Sequence, residues 1–314
     1  MLKKTILSAI AIVALSIAIL TAYFYLLCHG LASTKTSFQA KVNELFSETM
    51  HIDNAFVGSS RTYNHIDPFI IDKNAKTSSY NFGLSAANMA VYELVVGKIL
   101  QRKHLPKKII FNIDNYTFES RHNDKIFYYP IYFPYLKDTL TQRLANVEPN
   151  IRYSTYYPFY GVSLLDDYLK NIAWDGIINP QKTDEIYQHR GFEAIVENNF
   201  KGDDQFSDLS FQLDTSEIIA FEKLCATITK KNIAIVLVMA PLYKNRNADN
   251  ESTQQFYSLI EKLKTKYHCK TIDCFLDTRF DKSKFYNNTH LNKNGAILFS
   301  EMIADSLIEN HYNQ

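Results

Sequence analysis

At 314 residues the chain can bury a sizeable core, and with 46% apolar and 21% charged residues it lies outside the composition of disordered chains. A formal net charge of +1, with no basic stripe, supplies no field to gather nucleic acid, so no nucleic-acid partner is expected. Tyr and Phe number 21 each while glycine numbers only 9, so a glycine beside an expected strand end carries more meaning than usual.

The first element is Thr5–Leu27, an uncharged run long enough to span a bilayer as a helix. Lys3 and Lys4 precede it, which keeps the N-terminus in the cytoplasm and sends the rest across; Tyr23, Phe24 and Tyr25 fall where an aromatic belt is expected. A signal peptide cleaved near Gly30-Leu31-Ala32 and a lipoprotein signal at Cys28 are the alternatives. All three place the main domain outside the cytoplasm. The expected organisation is a cytoplasmic stub and anchor over residues 1–32, a polar and partly helical stalk over 33–52, and a folded domain over 53–314.

Within the domain the periods alternate. Strands are expected at Asn54–Val57, Tyr80–Phe82, Lys108–Ile113, Ile233–Met239 and Lys270–Phe275. Helices are expected at Ala86–Leu105, Ser216–Lys231 (capped by Ser216), Gln254–Tyr267 and Lys293–Glu309. Continuous apolar strands alternating with helices predict an α/β fold, a three-layer α/β/α sandwich on a mainly parallel sheet. Ligands in such sheets sit beyond the carboxyl ends of the strands. The stretch from about 116 to 191, rich in Tyr, Phe and Pro, is too long for a loop and is expected to cap the sheet edge. It is read as a small satellite core, or else as an aromatic surface for a sugar or acyl chain.

The four cysteines, Cys28, Cys225, Cys269 and Cys274, form no C-x-x-C pair and are expected as buried hydrophobes rather than metal ligands or disulfides. Cys269 and Cys274 bracket a strand at an odd offset and should point to opposite faces. Glycine-rich phosphate loops and the H-E-x-x-H zinc motif are absent, so no cofactor and no metal are expected. Asn115-Tyr116-Thr117 is a glycosylation sequon, relevant only in a eukaryotic secretory route.

Two short segments can carry chemistry. In FVGSSRTYNHIDP, Ser60 follows the first strand at a strand-to-helix turn, with Gly58 permitting a close approach and helix-opening N–H groups nearby to steady an oxyanion. In FYNNTHLNKNGAILFSEM, His290 precedes the last helix, which Asn292 can cap. Serine and histidine so placed would be nucleophile and general base. Arg61 is either a ligand for an anionic substrate group or a structural salt bridge; His65 and His189 are expected to be structural.

Taken together and in this order, GSSR after the first strand and F-Y-x-x-x-H-L-N-x-x-G-A before the last helix resemble the SGNH (GDSL-like) hydrolase superfamily. The closest likeness is to its membrane-anchored cell-envelope members, the teichoic acid D-alanylation and alginate O-acetylation types. NFGLSAAN resembles the second family block and MAPLY the strand–proline turn. The resemblance implies an esterase or O-acyltransferase acting on cell-envelope glycans, with a possible membrane acyltransferase partner. It makes Ser60 the nucleophile and His290 the base, and it puts the second-block oxyanion donor at Ala86 or Gly83. The third block falls on Asn112–Asn115, which makes Asp114, or Asn115 with a shift of one, the oxyanion residue.

The chain departs from the family at the triad acid, where Asn287 stands three residues before His290. An amide orients imidazole but does not stabilise imidazolium. Three outcomes follow: another carboxylate substitutes (Asp277, Asp281 or Asp114), the enzyme is slow, or the protein is a catalytically inactive binder of glycan or of a membrane partner. The topology has a direct check. Protease added to spheroplasts is expected to digest the domain; full protection, with susceptible controls cut, would reverse the orientation.

Overall fold

The computed structural model describes residues 2–119, 125–203, 212–243 and 251–308. The chain opens with α1 (Leu2–Ser33) and α2 (Ser37–Ser47), then runs β1 (Asn54–Val57), α3 (Ser60–His65), α4 (Pro68–Ala75), β2 (Ser79–Asn81), α5 (Met89–Ile99) and β3 (Lys108–Asn112). An excursion follows, containing α6 (Thr139–Leu144), α7 (Pro149–Tyr156), α8 (Pro158–Leu164), α9 (Asp167–Ile178) and α10 (Glu185–Gln188). The chain then returns through α11 (Thr215–Thr229), β4 (Ala234–Met239), α12 (Glu251–Tyr267), β5 (Lys270–Asp273) and α13 (Lys293–Ile308).

The five strands form one parallel sheet in the order β2-β1-β3-β4-β5. Successive residues alternate between two cores, as the pleat requires. Ala55, Val57, Ile109, Phe111, Ile235 and Leu237 point into one cluster. Phe56, Ile110, Val236, Val238 and Ile272 point into the other, against α13. Cys269 and Cys274 divide between the two faces in the same way, and all four cysteines are buried. The three-layer expectation therefore describes this fold. The strand order reverses direction at β1, between β2 and β3, and that switch point is where open parallel sheets present a crevice.

Element boundaries shift for local reasons. The second strand covers Ser79–Asn81 rather than Tyr80–Phe82. The helix expected from Ala86 begins at Met89, because Ala86 turns left-handed (φ 50°) and the Asn88 side chain accepts from Val91 N–H as the cap. Asp214, not Ser216, caps α11, accepting from the Ser216 N–H at 2.7 Å. Glu309, the expected end of the last helix, lies outside the described residues.

The expected stalk over 33–52 is overturned: α2 is packed into the domain. Its polar side chains suggested exposure, yet they are buried with partners. Gln39 donates to Asn43 Oδ1 at 3.0 Å and to the Ile131 carbonyl at 3.1 Å. Asn43 donates to the Leu31 and Thr34 carbonyls at 2.8 and 2.9 Å, satisfying the open end of α1. Glu44 receives Arg102 at 2.8 Å, and Lys41 donates to the Gly83 carbonyl.

The anchor boundary at residue 32 also moves. Helix α1 is long and apolar enough to cross a membrane, and it is exposed through Leu20. Phe24, Leu27, Cys28, Gly30 and Leu31, by contrast, are buried in the domain. Two close approaches at glycines make this possible. A Cβ on Gly161 of α8 would meet the Phe24 ring at 2.3 Å, and one on Gly176 of α9 would meet the Gly30 carbonyl at 2.0 Å. The aromatic excursion is therefore no separate satellite. Tyr132, Phe133, Leu144, Leu169 and Ala173 share one core with α1, α5 and the sheet, and residues 120–124 of it lie outside the described residues. Gly176→Val should push α9 off α1 and destabilise the protein by about 1–3 kcal/mol, the usual range for overpacking. Thermal unfolding of the full chain in lipid nanodiscs would register this as a lower midpoint.

Candidate active site

Ser60 opens α3 directly beyond β1. The close approach at that exit needs Gly58, where a Cβ would lie 1.9 Å from Thr62 Oγ1 and 3.0 Å from the Asn112 carbonyl. His290 arrives from the far end of the chain on a tight loop. The Phe285–Leu291 bridge closes that loop, and Tyr286 N–H donates to the His290 carbonyl at 2.8 Å. Leu291 is fully buried and its N–H donates to His65 Nε2 at 3.0 Å; Asn292 accepts from Gly295 N–H and caps α13. Ser60 Oγ and His290 Nε2 stand 2.9 Å apart, within hydrogen-bond reach of each other.

Asn287 is placed on the other side of the imidazole. Its Oδ1 accepts the backbone N–H of Thr289 at 3.0 Å and of His290 at 2.8 Å, and lies 3.2 Å from His290 Nδ1. Two backbone donors fix the amide oxygen, rather than the NH₂, toward the ring. Thr289 Oγ1 also donates to Asn287 Oδ1 at 3.2 Å, leaving its lone pairs toward His290 Nδ1 at 3.0 Å. Both neighbours of Nδ1 can thus accept, so the proton is assigned to Nδ1 and the Nε2 lone pair to the Ser60 hydroxyl. In a serine protease the Asp→Asn change is damaging partly because it sets the wrong tautomer. That fault is avoided here.

No carboxylate substitutes for the missing acid at Nδ1 among the described residues. Asp277 pairs with Arg279, and Asp281 accepts from Ser283 at the start of a short helix. Asp114 does reach the crevice but turns elsewhere. Its Oδ1 accepts the N–H and hydroxyl of Thr117, each at 3.0 Å, and its Oδ2 receives Arg61 at 3.0 Å. As a carboxylate it accepts only, which overturns its assignment as an oxyanion donor. The side chain of Asn115 is outside the described residues.

Arg61 is buried rather than free to reach a substrate. Its guanidinium also donates to the Ala240 and Pro241 carbonyls at 2.7 and 2.8 Å, so the structural-ion-pair alternative describes it. Its charge still matters. Burial first, and then the nearby Arg61 charge, push the His290 pKa down to about 4, with Asp114 pulling the other way. His65, buried against His290 with ring centroids 5.8 Å apart, is held neutral by the same desolvation, and it positions the loop through Leu291. His189 sits away from the crevice, 3.0 Å from Asp67.

The two second-block alternatives separate cleanly. Gly83 N–H is already given to Asn81 Oδ1 at 2.9 Å, and Gly83 packs on Thr62 instead of lining the crevice, so it is excluded as a donor. Ala86 lines the crevice with Ser60 and His290. Among the described residues, neither the Ala86 nor the Ser60 N–H meets an acceptor. Two open backbone donors beside a serine hydroxyl are what a developing oxyanion requires. The crevice, of about 280 Å³, is completed by Tyr92, Tyr116, Thr117 and Thr289. Thr289 and the Arg61–Asp114 pair went unrecognised in the sequence. Thr289 adjoins His290 and could have been found; the ion pair joins positions 53 residues apart and leaves no local signal.

No family model and no curated protein matches the chain. Among solved structures, one described as a candidate platelet activating factor from Streptococcus pneumonia aligns over 86% of this chain and 90% of its own, at 11% identity and a TM-score of 0.41. Another, a candidate lipolytic protein of the G-D-S-L family from Desulfitobacterium hafniense DCB-2, aligns over 81% of this chain and 98% of its own, at 10% identity and a TM-score of 0.38. Likeness at that level bears on neither substrate nor mechanism.

The pH dependence follows from the imidazole. Protonated His290 has no lone pair for the Ser60 proton, so reactivity is lost as pH falls through its pKa. Ser60 labelling by a fluorophosphonate is expected to be level across neutral pH and half-maximal near pH 4, well below the ~6.5 of an ordinary histidine. A midpoint above about 6 would remove the desolvated base.

Proposed function

We propose that the protein is a serine esterase or O-acyltransferase, tethered to a membrane through α1 with its domain outside the cytoplasm, and acting on cell-envelope glycans. The observation that carries the chemistry is the 2.9 Å contact between Ser60 Oγ and His290 Nε2, beside the open N–H groups of Ser60 and Ala86. Envelope location and glycan substrate rest on the resemblance of GSSR and FYNNTHLN to envelope SGNH members, and on the apolar length of α1.

In this reading Ser60 Oγ attacks the ester carbonyl while its proton passes to His290 Nε2. The oxyanion is held by the two backbone donors. Collapse breaks the bond to the leaving alcohol, which takes the proton back, and an acyl-serine remains. Water or a sugar hydroxyl then attacks it, with His290 again accepting and returning the proton. A membrane acyltransferase is the fitting source of acyl groups if transfer is the outcome. Imidazolium forms twice in this cycle with only Asn287 and Thr289 beside Nδ1, so the turnover is slow.

The second reading, a catalytically silent binder of glycan or of a membrane partner, is favoured by that same lack of a carboxylate on Nδ1. Hydrolysis of an activated acetyl ester by the full chain in nanodiscs divides the two. Ser60→Ala is expected to abolish it. Asn287→Asp keeps the acceptor geometry and adds a charge worth 1–3 pKa units on imidazole, so it should raise acylation about 10- to 100-fold. Wild-type activity undiminished by Ser60→Ala would falsify the nucleophile assignment.

A further inference from the structure

A second cavity adjoins the crevice and shares its Ala86–Ala87 wall. The two halves differ in chemistry. The crevice is lined by Ser60, Arg61, Asp114, Thr117, Thr289 and His290, whereas among the described residues no charged side chain lines the second cavity. Leu84 and Val91 form one side of it, and Ile131 and Tyr132 of the aromatic excursion form the other. Phe127 stands at its rim, 59% exposed.

This cavity is built, not a gap left by loose packing. Tyr63, one helical turn beyond Ser60, forms part of its wall and is locked in place. Its hydroxyl donates to Glu193, and the Lys41 ammonium lies 3.6 Å from its ring centroid. A wall held at both ends resists collapse, so the space persists without a ligand.

We infer that this cavity is the acyl-chain site of the Ser60 reaction and takes a short aliphatic acyl group, while the alcohol half of the ester occupies the polar crevice. The assignment rests on Ser60 being the acyl-accepting nucleophile. A carbonyl carbon at Ser60 has Ala86–Ala87 on one side, and a chain passing that wall enters apolar surroundings at once. The volume, about 110 Å³, sets the length. A cavity of about 150 Å³ holds the six carbons of benzene, so about four carbons fit here beyond the carbonyl region. A hexanoyl group fills the site; an acetyl group leaves it empty.

Burying one methylene is worth about fourfold in affinity or rate. In nanodisc-held full chain, kcat/KM for p-nitrophenyl hexanoate should therefore exceed that for the acetate by about tenfold or more, and laurate should fall away. Val91→Phe should cut the hexanoate-to-acetate ratio about tenfold, and Phe127→Ala, at an exposed rim position, should move the optimum to longer chains. An arm independent of catalysis uses Ser60→Ala with a diazirine-bearing medium-chain fatty acid. Its photolabel should map to segments 84–91 and 126–132 and be displaced by hexanoate but not by acetate or methyl glucoside.

Esterase activity with a flat chain-length profile and no mapped label would overturn the acyl site while leaving the Ser60 chemistry standing. Mapped, hexanoate-sensitive label without any ester cleavage would keep the site and overturn the enzymatic reading. Displacement by methyl glucoside as strongly as by hexanoate would overturn the assignment in favour of a sugar subsite.

Discussion

Two backbone N–H groups, those of Thr289 and His290, converge on the side-chain oxygen of Asn287, and the state of the crevice depends on that convergence. An amide can turn either its oxygen or its nitrogen to a neighbour, and in isolation the choice is nearly free. Here turning the nitrogen inward would set its hydrogens against two N–H donors. The oxygen therefore faces the imidazole, Nδ1 keeps the proton, and Nε2 offers its lone pair to Ser60. The loop provides orientation without charge. Desolvation and the nearby guanidinium then keep the ring neutral, its pKa near 4, so the base is available at ordinary pH but weak. A carboxylate at position 287 would supply what is missing, a partner for the imidazolium.

The Arg61–Asp114 pair belongs to the same electrostatic arrangement. Either charge alone in this buried place would be costly, and a lone carboxylate beside an incipient oxyanion would oppose it. Paired at 3.0 Å and tied to two carbonyls and to Thr117, they stiffen the floor of the crevice, where β1 and β3 leave the sheet. Their residual effects on His290 oppose each other, with Arg61 the larger.

Helix α1, α2 and the aromatic excursion form one mechanical unit with the crevice. Asn43 caps α1, Lys41 on the same helix donates to the Gly83 carbonyl, and three residues beyond Gly83 lies Ala86. Burying the Lys41 ammonium depresses its pKa strongly, opposed by Glu193, so its position reflects a requirement of the packing and not of solubility. The apolar helix is in this way continuous with the loop that lines the crevice. Its last third, from Phe24, contributes Phe24, Leu27, Cys28 and Leu31 to the core of the domain.

The sequence alone determined the layered parallel sheet, since alternating strand and helix periods admit few other packings, and it determined that Ser60 follows the first strand and His290 the last, in the loop before the final helix. The strongest expected strand, Ile233–Met239, was legible and forms β4 from Ala234, because a continuous apolar run bounded by turns needs no distant partner to be recognised; the short strand Asn54–Val57 keeps its expected bounds. It did not determine α2, whose Gln39, Lys41, Asn43 and Glu44 read as solvated until their partners at Ile131, Gly83, Leu31 and Arg102 are in place. Nor did it determine that the Gly83 N–H is already given to Asn81, which removes it as a free donor, or the orientation of the Asn287 amide, which turns on two local donors. Hydrophobic periodicity is a property of neighbours along the chain. Whether a buried polar group is satisfied depends on atoms far away in sequence, and only the tertiary structure brings those together.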